Sequence, residues 1–516
     1  HMPSNSLRTV IARVRWAGSR AIVALLAAIV AVAGSFTVSG RTPSFVVAPV
    51  DAFVVTTTPA IVLTVAIEQL GRLGETLASL VAVALTIGLF AVVAQFALVG
   101  GKTLSSRLPI PAWVSQPAVV GAAMALLAWL LVSDITAAVG TAVPAAILVA
   151  LASKRPGESV PVAGVDASRR QLLALTGGAF GFGIVSYAIG SRRSPGIGRE
   201  LETDLEADAT ALSQQAADME LAVDGIPGLV SESSAFFTVD INNIDPVVDA
   251  DDWTLTLTGE VDTNYTLTYD DLVAGDVRTG YNTLRCVGEQ LNADLLDNAI
   301  WTAVPVAPLL ERAGPGGGCE CVRVQAADGY YQQFPLAVME RGYLAFGMNG
   351  TALPRAHGHP VRLLIPGHWG EINVKWVTEF EVLEEEVDGY WEERGWHGTG
   401  PVNTIAKLWT TNELDDGRVQ VGGHAYAGTR GIETVEVSTD GGDSWETAEL
   451  SEAFDPADVL GDRDAWRQWQ YTWEPPAGDS EVVVRAIDGT GDVQPAEESS
   501  PFPSGSSGWV RKTVSV

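Results

Sequence analysis

The segment YNTLRCVGEQLNADLLDNAIWTAVPVAPLLERAG, residues 281–314, contains the features that decide how the second half of this chain folds. It carries one cysteine, Cys286, and ends in the short helical pattern VAPLLERAG at 306–314. Around it, strand-like runs such as WTLTLTGEV at 253–261 alternate with short helical stretches of this kind. This mixture predicts an α+β domain over residues 236–402.

Beyond this domain the pattern changes to strands separated by Gly and Asp turns. The strand-like runs are RVQVGGHAYA, IETVEVSTDGGDSWETAEL, WRQWQYTWEPPAG and SEVVVRAIDGTG. Short strands at this spacing predict an all-β sandwich of the immunoglobulin type over residues 403–516. Within it, Asp440, Gly441 and Gly442 supply the positive φ angles that a tight hairpin needs.

Charge is divided very unevenly along the chain. Residues 1–193 carry 14 basic and six acidic side chains, whereas residues 194–516 carry 56 acidic and 18 basic ones. Such an excess of negative charge opposes compaction unless salt screens it, with a Debye length of about 3 Å at molar salt. Because the acidic half is also rich in Trp, Val and Leu, we expect a folded domain from a halophilic, archaeal source rather than a disordered region. Nucleic-acid binding is excluded, because this surface would repel a polyanion.

The first 193 residues contain apolar runs long enough to cross a hydrocarbon core of ~30 Å as helices. These runs lie at about 21–40, 78–100, 117–133, 136–153 and 171–190. A further stretch, 58–74, is interrupted by Glu68, Gln69 and Arg72, so an interfacial helix is as plausible as a span. We therefore predict an all-α transmembrane bundle of about five spans over residues 1–193, with six spans as the alternative.

The basic residues of short loops predict the orientation of these spans, because such residues stay in the cytoplasm. With five spans, the N-terminal arginines, Lys102, Arg107 and the loop 154–170 all lie inside. The acidic half then lies outside, which predicts a multi-pass cell-membrane protein with an extracytoplasmic catalytic domain. Six spans would place that domain in the cytoplasm.

Two segments connect the bundle to the acidic half. SRRQLL at 168–173 resembles a twin-arginine export signal set inside the chain; the alternative is an ordinary helix flanked by positive charge. Residues 194–235 read as an acidic, partly helical linker.

The cysteines and histidines limit the metal chemistry. Cys319 and Cys321 stand two residues apart, a spacing at which we expect thiols on a strand rather than a disulfide, with a second metal site as the alternative. No histidine occurs between His1 and His357, so the helices lack the His pair that usually holds a transmembrane haem, and no haem is predicted.

Three blocks of the acidic half resemble the sulfite oxidase family of molybdenum-cofactor enzymes. The block at 281–314 has that family's Thr-Leu-x-Cys run, a Trp about fifteen residues later and a Leu-Leu helix ending in Ala-Gly. The block at 353–376 resembles its His-Gly-x-Pro-Val-Arg and Pro-Gly-x-x-Gly segments. The sandwich, with WRQW at 466–469 and SGW at 507–509, resembles its C-terminal domain, which often dimerises.

The resemblance implies a molybdenum–molybdopterin cofactor and the residues that bind it. A molybdenum centre needs a soft thiolate, and the resemblance implies Cys286 as that metal ligand. The phosphate of the pterin needs cationic and backbone donors in a fixed arrangement. The implied cofactor-binding residues are Asn242, Cys286, His357, Arg362, Gly370, Ile372 and Lys375.

Several positions depart from the family pattern on the substrate side. The segment GYWEERGWHG at 389–398 resembles the one that carries the family's tyrosine beside the metal, but the matching residue is Trp396. Arg394 precedes it and would either contact an oxyanion or pair with Glu392 or Glu393. Together with Cys286, these two residues form the implied catalytic set.

Two further departures concern charge. Thr238 and Asp240 stand where relatives often have a basic residue, and Glu289 stands where Asn is common. A carboxylate near the site would repel sulfite. These changes weaken the implication that sulfite is the substrate more than the implication that the cofactor is bound.

The resulting hypothesis is oxygen-atom transfer by a membrane-anchored enzyme that oxidises sulfite or a related oxyanion. The first alternative is reduction of a sulfoxide of the methionine sulfoxide type. The second is a binding or assembly module that kept the fold without the cofactor. Expected partners are a small substrate, membrane lipid, a separate electron carrier (quinone, copper protein or cytochrome) and a second copy of the chain.

Overall fold

The computed structural model describes residues 4–59, 62, 72–153, 167–193, 201–476 and 478–515. The chain divides into two compact units. The first comprises His1–Pro59, Gly71–Gly196 and Asn242–Val247, and the second comprises Ala60–Leu70, Ile197–Ile241 and Val248–Val516.

The first unit is built from helices. They are α1 (Ser4–Ser39), α2 (Ala48–Thr57), α3 (Arg72–Arg107), α4 (Ala112–Val132), α5 (Ile135–Ser153) and α6 (Ala167–Gly190). All except α2 are long and apolar enough to cross a membrane, which makes five such helices among the described residues. The predicted bundle of five long apolar helices is therefore confirmed, and most of the ambiguous stretch 58–74 lies outside the described residues.

Small residues allow α1 and α5 to pack closely. A Cβ atom added to Gly34 would lie 2.2 Å from the carbonyl oxygen of Gly140, and one added to Gly140 would lie 2.9 Å from that of Gly34. In an apolar environment helices associate through such close van der Waals packing, because lipid tails are as apolar as the side chains they replace. Any larger residue at either glycine would push the two helices apart.

In the second unit, the residues before 403 form two sheets with short helices. The first sheet has the strand order β2-β1-β10-β5-β6, and the second has the order β3-β4-β7-β8 with β9 beside β7. The strands are β1 (Thr254–Gly259), β2 (Tyr265–Thr268), β3 (Arg278–Arg285), β4 (Leu296–Pro305), β5 (Cys321–Ala326), β6 (Tyr331–Pro335), β7 (Tyr343–Met348), β8 (Thr351–Ala352), β9 (Arg362–Leu364) and β10 (Val377–Leu383). The helices are α7 (Thr203–Asp218), α8 (Tyr269–Val273), α9 (Ala307–Ala313) and α10 (Leu336–Met339). The predicted α+β domain is confirmed.

The alternation in WTLTLTGEV explains the first strand. Leu255 and Leu257 are buried in the core of the first sheet, whereas the threonines between them point away from it. The strand runs parallel to β10 and ends at Gly259 with φ of 85°. A Cβ atom there would lie 2.0 Å from the carbonyl oxygen of Val382, so only glycine permits this approach.

The remaining strands form the predicted immunoglobulin-like sandwich. One sheet has the order β11-β13-β17-β16 with β12 on β13, and the other has the order β15-β14-β18-β19. The strands are β11 (Ile405–Ala406), β12 (Thr410–Glu413), β13 (Val419–Tyr426), β14 (Ile432–Ser438), β15 (Glu446–Thr447), β16 (Glu449–Leu450), β17 (Arg467–Trp473), β18 (Asp479–Asp488) and β19 (Val510–Ser515). Val421 and Trp469 from the first sheet share one buried core with Val435 and Val484 from the second. The predicted hairpin joins β14 to β15, with Gly441 and Gly442 at positive φ.

The expectation for Cys319 and Cys321 is wrong, because the two residues form a disulfide. They do not lie together on a strand: β5 begins at Cys321, and Cys319 lies in the preceding loop. Glu320 between them has φ of 49°, which turns the backbone and leaves the two Cα atoms 5.2 Å apart. That separation suits a disulfide, so neither cysteine is a free thiol or a metal ligand.

A buried carboxyl group, Asp464, joins the sandwich to the α+β domain. Its oxygens accept hydrogen bonds from the Tyr426 hydroxyl at 2.6 Å, from the Gly367 backbone N–H at 2.8 Å and from the Asn282 side chain. Burial raises the pKa of Asp464 to about 7, although these hydrogen bonds oppose the shift. The folded state therefore binds a proton here more tightly than the unfolded chain does.

The first prediction concerns this group. Because the folded pKa is raised, its contribution to stability is complete below pH 4 and is lost as the pH rises through 7. We expect Asp464→Asn to remove this contribution, which amounts to about 4 kcal/mol at most. The measurement is the Tm of the full chain from pH 4 to 8 in constant salt. Parallel curves for the wild type and the variant would contradict the assignment.

Candidate active site

A cavity in the second unit brings together most of the residues that the sequence singled out. It is lined by the segment from Phe236 to Ile241, by Leu284 and Cys286–Gly288, and by residues of the 353–376 block. Trp391 and Trp396 close another part of its surface. Of the predicted site residues, those that line it are Cys286, His357, Arg362, Gly370, Lys375 and Trp396.

Cys286 is the free thiol of this cavity. It follows directly on β3, and its backbone N–H donates to the carbonyl of Leu295 at 3.0 Å, which fixes the turn. Gly370 lets a second loop approach, because a Cβ atom there would lie 3.3 Å from the carbonyl oxygen of Arg285 and 3.8 Å from the Cys286 Cα. Burial raises the pKa of Cys286 to about 12, with Glu289 and Glu371 adding to the shift and Arg285 opposing it.

The cations Arg362 and Lys375, together with the imidazole of His357, line the same cavity and are here called the cationic group. Arg362 is buried; it donates to the carbonyl of His357 at 3.2 Å and to that of Asn373 at 3.0 Å, while its Nε has no partner among the described residues. Lys375 donates to the carbonyl of Ala356 at 3.0 Å and pairs with Asp240. Burial lowers the pKa of Arg362 to about 9, which reflects a guanidinium largely deprived of water.

The backbone holds this group in place. His357 contacts the carbonyl of Ser233 through Nε2 at 2.8 Å, and burial lowers the pKa of its ring to about 4, so the imidazole is neutral at pH 7. Gly358 has φ of 111°, and a Cβ atom there would lie 2.9 Å from the Cβ of Arg362 and 3.1 Å from that of Lys375. A buried arginine with an unpaired N–H beside a lysine and a neutral imidazole suits a phosphate, so these residues fit the implied pterin phosphate.

Glu289 does not present a free carboxylate to the cavity, so the expected repulsion of sulfite by this residue is wrong. Its Oε2 accepts from the Nε of Arg285 at 2.8 Å, and its Oε1 pairs with Lys407. All three side chains are fully buried. Arg285 also donates to the carbonyls of Asn403 and Ser506 at 3.0 and 3.2 Å. The negative charge of Glu289 is therefore compensated within a buried triad, Arg285–Glu289–Lys407, that joins the α+β domain to the sandwich.

Three predicted site residues do not line the cavity. Asn242 belongs to the first unit, where its neighbour Asn243 donates to the buried Asp51 at 3.0 Å. Ile372 is buried in the core of the first sheet. Arg394 stacks on the Tyr390 ring at 3.6 Å, donates to the Tyr390 carbonyl and lies 3.7 Å from Glu393. Its pairing with a glutamate, one of the two predicted alternatives, is the arrangement present.

The cavity also contains residues that sequence reasoning missed. Glu371, Tyr330 and Trp391 line it, and the Tyr330 hydroxyl donates to the Glu371 carbonyl at 2.8 Å. The only signal in the sequence is that Glu371 follows Gly370 inside a block otherwise matched to cofactor binding. Among the described residues no three His, Cys, Asp or Glu side chains group into a metal site.

Comparison with known families agrees with this geometry. The pattern "Oxidoreductase molybdopterin binding domain" matches residues 242–391, and "Mo-co oxidoreductase dimerisation domain" matches residues 403–502. The two matches support a molybdopterin oxidoreductase of the sulfite oxidase type. This similarity implies the molybdenum–molybdopterin cofactor, which the donor set of the cavity fits.

Individual members of the sulfite oxidase family are moderately similar. Mitochondrial sulfite oxidase of Homo sapiens is 34% identical over 30% of this chain and 32% of its own length. That of Macaca fascicularis is 30% identical over 45% of this chain and 48% of its own length. The chain thus spans a third to a half of these relatives. The crystal structure of the sulfane dehydrogenase SoxCD from Paracoccus pantotrophus aligns with a TM-score of 0.47 and 20% identity over 59% of this chain and 80% of that one.

The second prediction tests the buried triad beside Cys286. Lys407→Met removes one of the two cations that contact Glu289, and losing hydrogen bonds from a charged donor costs roughly 1.5–3 kcal/mol. We expect a clear fall in the Tm of the full chain in detergent, followed by tryptophan fluorescence. Lys512→Met, at an exposed site, is the matched control. Equal Tm values for Lys407→Met and Lys512→Met would contradict the role of the triad.

Proposed function

We propose that this protein is a membrane-anchored, extracytoplasmic enzyme that transfers an oxygen atom to or from a small substrate at a molybdenum–molybdopterin cofactor. The observation that carries the proposal is the placement of the free thiol of Cys286 in one cavity with the cationic group. A free thiol alone, or a cluster of phosphate-binding residues alone, would be compatible with many functions. Their combination matches the two ends of a metal-bearing pterin.

Each part of the cavity has a defined task in this proposal. Cys286 would bind the metal as a thiolate, and Arg362, Lys375 and His357 would bind the phosphate. When bound, the cofactor supplies two-electron redox chemistry at the metal. The buried triad fixes the turn that carries Cys286, and the aromatic side chains of Trp391 and Trp396 restrict access of water to the reacting end.

The names of the relatives favour sulfite or a related oxyanion as substrate, and a sulfoxide is the second candidate. The oxyanion candidate requires a cation near the metal, and here Arg285 and Arg394 are both committed to other partners. The sulfoxide candidate requires only hydrogen-bond donors, since its oxygen carries no net charge. Which of the two substrates binds depends on the residues around Trp396.

The membrane orientation is a further part of the proposal. With five spans and a cytoplasmic N-terminus, Lys102 and Arg107 at the end of α3 face the cytoplasm. The second unit then follows the fifth span on the outer side. The exceptions to the charge rule are Arg41, Arg72, Arg192 and Arg193, which lie on the outer side. They are outnumbered by the basic residues on the cytoplasmic side, four of which lie in the first half of α1.

Partners follow from the same arrangement. Electrons would leave to a separate carrier, which could be a membrane quinone, a copper protein or a cytochrome. Residues 403–502 match a dimerisation domain, which supports a homodimer. The strongly acidic second half supports operation at molar salt in a halophilic, archaeal cell, and the 168–173 motif supports export of the folded domain.

The third prediction tests the cofactor. The wild-type chain, expressed in a cell that makes molybdopterin, should hold close to one molybdenum atom and one pterin. We expect Arg362→Met to lower the pterin content severalfold, because a buried phosphate contact is lost. Cys286→Ala should keep the pterin, lose the thiolate-to-metal absorption band and fall more than about 100-fold in turnover. Wild-type protein without molybdenum or pterin would favour the cofactor-free binding module instead.

The fourth prediction tests the orientation. Single cysteines introduced in a Cys286→Ser background at exposed positions of the sandwich, such as Glu433→Cys, should react with a membrane-impermeant maleimide in intact cells. A cysteine replacing Ser105, near the end of α3, should react only after lysis. The opposite labelling pattern would place the second unit in the cytoplasm.

A further inference from the structure

Residues 238–241, here called the wall segment, form a thin part of the cavity wall. All four residues line the cavity. Thr238 is also exposed to solvent, and Val239 is 39% exposed, so the wall is a single stretch of chain here. The position of this segment therefore decides how closed the cavity is.

The wall segment also contributes a charge to the cationic group. Asp240 pairs with the ammonium of Lys375, which donates in addition to the carbonyl of Ala356 at 3.0 Å. A lysine ammonium is a point charge on a flexible four-carbon stem, so its partners fix where the charge lies. The place of Asp240 therefore affects the place of a cation that would bind the phosphate.

The chain before the wall segment is anchored in the second unit. The Phe237 backbone N–H donates to Oδ2 of Asp297 at 2.9 Å. The ring of Phe236 packs edge-on against those of Trp301 and His357, with centroids 5.7 and 5.5 Å apart. This end is thus fixed by the core of the α+β domain.

The chain after the wall segment is anchored in the first unit, to which residues 242–247 belong. The backbone N–H and the side-chain amide of Asn243 donate to the carboxylate of Asp51, in α2, at 3.3 and 3.0 Å. The Asn243 carbonyl accepts from Nε and Nη2 of Arg41 at 3.1 and 2.7 Å. Ile244 packs against the apolar core of the bundle.

The buried carboxylate explains why this anchor is firm. Asp51 is only 3% exposed, and burying a carboxylate is costly unless donors replace the lost water. Asp51 therefore favours the state in which Asn243 is bound.

The anchor acts on the wall segment through the chain itself. The wall segment lies outside the helices and strands, so its position depends on its two anchored ends. Asp240 lies three residues before Asn243, and three residues span at most about 11 Å. Release of Asn243 would therefore free Asp240 to move away from Lys375.

We propose that Asp51 and Arg41 are positioning residues of the cofactor site. By binding Asn243 they hold the wall segment, and with it Asp240, in the arrangement that retains a phosphate-bearing pterin. This inference rests on the proposed function and extends it, because the first unit then has a task beyond anchoring the chain in the membrane. Loss of the Asn243 anchor is expected to speed the release of the cofactor.

The fifth prediction is a retention measurement on the full, cofactor-loaded chain in detergent. Samples are separated from released cofactor at intervals, and the pterin that remains bound is measured by its fluorescence after denaturation. We expect Asp51→Ala and Asn243→Ala each to lose pterin at least tenfold faster than the wild type, because each variant removes hydrogen bonds to a charged acceptor. Tenfold corresponds to about 1.4 kcal/mol.

Two further variants separate this anchor from general stability of the bundle. The double variant Asp51→Asn/Asn243→Asp exchanges donor and acceptor, and should release pterin within about threefold of the wild-type rate. Asp134→Ala is the matched control: Asp134 also belongs to the first unit and accepts from the Ser44 hydroxyl at 2.8 Å and the Thr136 N–H at 2.7 Å. It should release pterin at the wild-type rate.

A second measurement does not depend on the cofactor. Hydrogen exchange of the backbone amides in residues 236–247 should be faster in Asn243→Ala than in the wild type, because the anchored end is freed. Asp134→Ala should leave this exchange unchanged.

The possible outcomes are distinct. Wild-type rates of pterin release in both Asp51→Ala and Asn243→Ala would overturn this inference alone if the same samples hold molybdenum. Equally fast release in Asp134→Ala, or no recovery in the double variant, would also overturn it, because the effect would then come from a loosened bundle. A wild-type chain purified without molybdenum or pterin would overturn the proposed function and, with it, the retention role.

Discussion

A charged side chain loses its hydration when it is buried, so it must be paired with an opposite charge. In the second unit, the Arg285–Glu289–Lys407 triad meets this requirement and connects the two domains. Arg285 precedes Cys286 in the chain, Glu289 lies three residues after it, and Lys407 comes from the first strands of the sandwich. Lys407 and Glu289 are 118 residues apart in sequence. The thiol therefore takes its position only when both domains are folded together, and Asp464 joins the same two domains a second time.

The cavity avoids unpaired buried charge in two opposite ways. In the cationic group, Arg362 and Lys375 keep their charge, with Asp240 as counterion and backbone carbonyls as acceptors. Glu371, which lines the same cavity, loses its charge instead, because burial and then the nearby Glu392 raise its pKa to about 9. One cavity thus contains both paired cations and a carboxyl group that holds its proton at pH 7.

The sequence predicted the elements whose signal is local. Hydrophobic periodicity predicted five long apolar helices, the alternation of Leu255 and Leu257 predicted β1, and the Thr-Leu-x-Cys run predicted Cys286. It did not predict pairings that depend on distant parts of the chain. Glu289 was expected to repel sulfite, because the sequence alone does not place Lys407 beside it. The Cys319–Cys321 disulfide depends on a backbone turn at Glu320 that the spacing of the cysteines does not reveal. Glu371 lay inside a matched block, but its partner Glu392 comes from a different segment.

These observations also explain how so acidic a chain can hold a specific site. At molar salt the Debye length is about 3 Å, so repulsion among exposed carboxylates is weak beyond direct contact. Salt does not enter the buried triad, where solvent is excluded and charge interactions remain strong. The surface charge then sets solubility, and the few buried contacts set which ligand binds.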